Sequence, residues 1–187
     1  FVAVCMGKGI TNILKDLGVD RVIEGGQTMN PSTDDILKAV KRVKAKTVYV
    51  FPNNKNIIMA ANQAAELVED KKIVVIPSKS VPQCISAMVE FNDKKSAEAN
   101  EKAMNKAIGR VTSGQLTYAV RDTEIDGIEI KKDDILGMVE GKIVTVGKDI
   151  DDVLNRVVSQ MVDEDTEFLN VYYGKEIKKP QADVMLK

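Results

Sequence analysis

Four short runs rich in valine and isoleucine, each followed by apolar residues at helical spacing, constrain this chain more than any other feature. The runs are Phe1–Met6, Arg21–Ile23, Thr47–Phe51 and Lys72–Ile76. Between them lie the periodic sets Ile10, Ile13, Leu14 and Leu17, then Ile36, Leu37, Val40 and Val43, then Ile57, Ala61, Ala64 and Val68. A fourth set, Ile85, Met88 and Val89, follows the last run. Strands that read as near-continuous apolar runs are buried on both faces, and strand–helix alternation places helices against a parallel sheet through right-handed crossovers. The fold class that follows is α/β: a parallel, doubly wound sheet over residues 1–109.

The pattern changes after the polar helix from Ser96 to Ile108. Residues 110–187 carry short runs at Gln115–Arg121, Gly127–Lys131, Ile135–Val139 and Lys142–Val146, separated by turn signals at Asp126-Gly127, Lys132-Asp133-Asp134 and Glu140-Gly141. They read as a smaller antiparallel meander or small sheet. Asp149 caps a helix with Val153, Val157, Val158 and Met161 on one face, and Phe168–Gly174 reads as a final strand. The tail from Lys175 begins a further helical pattern. Phe1 opens the chain inside a strand, and the expectation is a piece cut from a longer protein.

Composition removes several classes of chemistry. Histidine is absent, which excludes Ser-His-Asp and Cys-His arrangements and histidine metal ligands within this chain. Formal net charge is -1 and aromatics are 4%, which offers neither a global field nor stacking platforms for nucleic acid. Cys5 and Cys84 stand alone in apolar contexts, so a disulfide framework is not indicated and a reducing cytoplasm is expected. No apolar run reaches the length of a membrane span, so membrane insertion is not expected. No catalytic residue and no metal-ligand set is assigned.

In a parallel sheet every strand-to-helix loop emerges at one edge, where open α/β sheets hold their ligands. The richest such loop is Gly25-Gly26-Gln27-Thr28-Met29-Asn30-Pro31-Ser32-Thr33. Its glycines allow a tight turn, and both Asn30 and Ser32 suit a helix N-cap. Together with the loops after the third and fourth strands, it gathers Thr28, Asn30, Ser32, Thr33, Asn53, Ser78, Lys79 and Ser80 at that edge. Hydroxyls, amides, a lysine and helix N-termini suit a phosphate or carboxylate; capping and solvation account for the same residues without a ligand. Gly7-Lys8-Gly9 lacks the third glycine of a dinucleotide fingerprint, Asn12 standing in its place.

Three strings carry a family resemblance: Ile23–Thr33, Ile76–Gln83 and Thr117–Asp122 followed by Asp126-Gly127. Together they resemble the C-terminal region of the bacterial dihydroxyacetone-kinase-like family of the FakA type, the ATP-binding component of fatty acid kinase. Cys84 departs from the glycine that the family pattern places after Pro82-Gln83. The resemblance implies a DegV-like fold and a parent protein whose N-terminal domain binds ATP and magnesium, with no cofactor on this part. It implies a partner, the fatty-acid-binding DegV-like carrier protein, and a homodimer formed through the parent. The function expected is a non-catalytic domain that docks the carrier so that the upstream domain phosphorylates the bound fatty acid. The alternative is a domain sensing a small anion or acyl ligand at the loop edge. By analogy with the carriers, Thr28, Ser32, Thr33, Ser78 and Ser80 occupy the loops that would hold a carboxylate.

Overall fold

A computed structural model describes residues 1–26, 29–125, 127–174, 177, 179, 180 and 182. The chain divides into two compact units, Phe1–Val111 and Thr112–Lys187.

In the first unit, β1 (Val2–Cys5), β2 (Arg21–Glu24), β3 (Thr47–Phe51) and β4 (Lys72–Val75) form a parallel sheet in the order β2-β1-β3-β4. Alternate side chains of these strands enter two separate cores. Val2, Val4, Val48 and Val50 pack with Ile36 and Val40 of α2 (Thr33–Lys41) and with Ile57, Ala61 and Ala64 of α3 (Lys55–Glu66). Ala3, Cys5, Tyr49, Phe51 and Val74 pack with Leu14 of α1 (Lys8–Asp16), Cys84 and Ala87 of α4 (Val81–Val89) and Met104 of α5 (Ala97–Ile108). Burial on both faces is why these strands carry no polar alternation. Phe1 joins Tyr49, Phe51 and Phe91 in an aromatic cluster, its ring 4.9 Å from that of Phe91 in an edge-on arrangement.

The strand order matters for function. β1 lies between β2 and β3, so the chain leaves β1 towards one side and returns from β2 to the other. The carboxyl ends of β1 and β3 therefore flank the crevice where open α/β sheets hold ligands.

The second unit is built on a three-stranded antiparallel sheet, β5 (Gly114–Tyr118), β8 (Ile135–Val139) and β9 (Lys142–Gly147), in the order β5-β8-β9. Helix α6 (Ile150–Met161) packs on one face of it, capped by Asp149, whose side chain accepts from the Asp152 amide. Glycines at Gly114, Gly137 and Gly147 let it approach closely. A Cβ on Gly137 would stand 2.5 Å from both Thr145 Cγ2 and Val157 Cγ2.

Two expectations about this unit need correction. The strands form small antiparallel sheets, as one of the two readings expects, and not one sequential meander. Residues Thr123–Ile125 (β6) and Ile128–Ile130 (β7) make a separate two-stranded hairpin, and β5 pairs past it with β8. Phe168–Gly174 forms no strand, because no ladder partner lies beside it among the described residues. Its side chains stay open to solvent, Phe168 at 84% exposure. Local β propensity does not make a strand without a neighbour to bond.

Candidate functional site

The loop between β2 and α2 folds back on itself. The Gly26 amide donates to the Met29 carbonyl at 3.0 Å. A Cβ on Gly25 would lie 2.8 Å from Pro31 Cδ and 2.9 Å from the Met29 oxygen, so the first glycine is required by close approach. Of the two candidate caps, Ser32 is used: it accepts from the Asp35 amide, while Asp35 accepts from the Ser32 amide and hydroxyl. This reciprocal capping box satisfies orphan helix donors. The Ser32 hydrogen bonds hold the Asp35 carboxyl below the usual carboxylate range. Thr33 donates its hydroxyl to Gln63 Oε1 at 3.1 Å, tying α2 to α3. Asn30 is exposed at the end of the loop. Thr28 lies outside the described residues.

At the sheet crevice the structure brings Asn53 and Ser78 together. Asn53 takes a left-handed backbone conformation, φ 55°. From there its Nδ2 donates to the Val4 carbonyl at 2.9 Å, and its Oδ1 accepts from the buried Ser78 hydroxyl at 2.7 Å. Its own amide donates to Ser78 Oγ at 3.2 Å. One side chain thus links the carboxyl ends of β1, β3 and β4. Ser80 caps α4 by accepting from the Gln83 amide, and the buried Gln83 side chain accepts from the Lys79 amide at 2.7 Å.

Gln83, which closes the second family string, and Cys84, which follows it, are not among the expected site residues but belong to this network. Burial pushes the Cys84 thiol up to about 12, against a hydrogen bond with Asn53 that lowers it. Burial also raises the Cys5 thiol, whose sulfur lies 3.5 Å from the Thr11 hydroxyl. Neither thiol is poised as a thiolate nucleophile. Helix α1 differs from α2, α3 and α4 in that it begins at Gly7 with no side-chain cap.

The expected site residues therefore fall into separate groups. Asn53 and Ser78 bond each other, Lys79 and Ser80 meet at the start of α4, Ser32 and Thr33 serve the start of α2, and Asn30 stands apart. A cleft of about 460 Å³ runs along the edge strand β2, and of the expected site residues Asn30 lines it, with Arg21, Glu24, Met29, Lys38 and Arg42 among others. Among the described residues no group of three or more acidic or cysteine side chains converges as a metal site. Among the described residues no helix is long and apolar enough to cross a membrane.

Charge is divided between the units. Residues 1–111 hold seventeen basic and twelve acidic side chains, whereas residues 112–187 hold ten basic and sixteen acidic ones. The chain's net charge of -1 conceals this division.

The family model for the C-terminal region of FakA-like fatty acid kinase proteins matches residues 1–187. Protein YloV of Bacillus subtilis (strain 168) is 50% identical over 182 residues, covering 97% of this chain and 33% of YloV. An uncharacterized protein of Staphylococcus aureus (strain USA300) is 45% identical over 185 residues, covering 99% of this chain and 34% of that protein. The chain thus spans about a third of the length of these relatives. It belongs to the FakA-like C-terminal family of fatty acid kinase proteins.

Proposed function

We propose that this chain is a docking domain, non-catalytic by itself, which holds a DegV-like fatty-acid carrier protein for an ATP-binding domain elsewhere in the parent polypeptide. That domain phosphorylates the carried fatty acid. Family membership supplies the reaction class, and the division of charge carries the docking role. An excess of six carboxylates on residues 112–187 suits a basic protein surface and speeds encounter with it. Two further observations agree with a non-catalytic role. Both thiols are held protonated by burial, and histidine is absent, so neither a Cys-His nor a Ser-His pair is available. Asn53 and Ser78, which stand where a ligand would enter the crevice, satisfy each other.

Calorimetric titration of the chain with the carrier tests this. Binding that weakens steeply with added salt is expected, because exposed charges are screened. Absence of heat and of co-migration at low salt contradicts it.

A second reading, a site for a small anion or acyl carboxylate at the loop edge, rests on the uncapped N-terminus of α1. It requires fatty acids or phosphorylated metabolites to stabilise the folded chain by RT ln(1 + [L]/Kd), read as a raised melting temperature. A flat response across such a panel removes it.

A further inference from the structure

The hairpin β6–β7 stands apart from the three-stranded sheet as a ladder of its own. Two-stranded hairpins are marginal in water without a packed face. Here every described residue from Arg121 to Glu129 is exposed, and Ile130 alone of the ladder is buried. The register places Ile125 opposite Ile128 on one face, with both side chains open to solvent. On the other face it places Glu124 directly opposite Glu129. Like charges in that position destabilise a ladder. Lys131, just past the end of β7, bonds Glu129, whereas no ion pair to Glu124 is found among the described residues. Residues 121–134 carry six carboxylates against three cations.

We propose that this hairpin is the element through which the chain grips its protein partner. Glu124 and Glu129 meet a basic side chain on one face of the hairpin, and Ile125 with Ile128 enters an apolar recess on the other. The inference rests on the docking reading and names its surface. The occupant is a folded protein with a basic face. A cation supplied by it between Glu124 and Glu129 relieves a repulsion that the free chain carries. Stability and binding are therefore opposed at Glu124, which a merely structural residue would not show.

The test pairs titration against the DegV-like carrier with thermal melting of each variant. Glu124→Lys creates an attractive cross-strand pair with Glu129, so the melting temperature holds or rises while affinity falls about tenfold or more through like-charge contact with the partner. Ile128→Thr keeps the β-branched shape and lowers affinity without lowering the melting temperature. If the unaltered chain binds and Glu124→Lys binds as tightly, the hairpin assignment is overturned and the docking reading stands. If the unaltered chain does not bind, both fail. Affinity lost only in step with melting temperature also overturns the hairpin assignment, since it marks a fold defect.

Discussion

Asn53 is the residue on which the crevice of the first unit closes. Its left-handed backbone suits asparagine better than alanine, and its side chain bonds the Val4 carbonyl and the Ser78 hydroxyl. Asn53→Ala loses both bonds, strands a buried hydroxyl and strains the backbone. A loss of about 2–4 kcal/mol in denaturant unfolding is expected. Asn53→Gly keeps the backbone freedom and should lose less, so the difference between the two variants isolates the conformational part. Cys84 allows a second check at this scale. Its folded pKa is raised from 9.0 to about 12, so the unfolded chain releases this proton first as pH rises. The thiol's contribution to stability is complete below pH 9.0 and is lost as pH climbs towards about 12. In the folded chain at pH 8, alkylation of Cys84 should proceed only through opening. Labelling at the rate of a free thiol would contradict its burial. Asn53 and Ser78 were legible in the sequence as neighbours on one sheet edge. Their bond to each other was not, because it depends on the strand order and on a positive φ that no local pattern specifies.

Among the elements, the contact of α6 with β5-β8-β9 depends most on absent side chains. Gly137→Ala places a methyl 2.5 Å from Val157 Cγ2 and 3.0 Å from Val153 Cγ1. Overpacking of this kind costs about 1–3 kcal/mol, read as an earlier unfolding transition of the second unit. Adding Val157→Ala should recover part of the loss, while unchanged melting of Gly137→Ala would show that the helix is not seated so closely. Elements buried on two faces were the easiest to read from sequence: β1 to β4 announce themselves as Val/Ile runs. The second unit was harder. Gly114, Gly137 and Gly147 look like turn residues but lie under a helix. Residues 123–130 separate into their own hairpin. Phe168–Gly174 has strand composition and no partner among the described residues, and pairing is a tertiary fact that composition does not contain.

For the whole molecule, the docking account turns on a division of charge that the net value hides. Counting by unit exposes it, and the boundary between units comes from the structure. In the docking proposal this chain occupies the carrier without performing chemistry. The most direct test is acyl-phosphate formation by a longer FakA-like protein and its carrier, with this chain added in trans. Competition for the carrier predicts a rise in apparent KM for the carrier in proportion to the added chain, with kcat unchanged and no ATP consumed by the chain alone. Unaltered kinetics with the chain well in excess over the carrier would contradict the account.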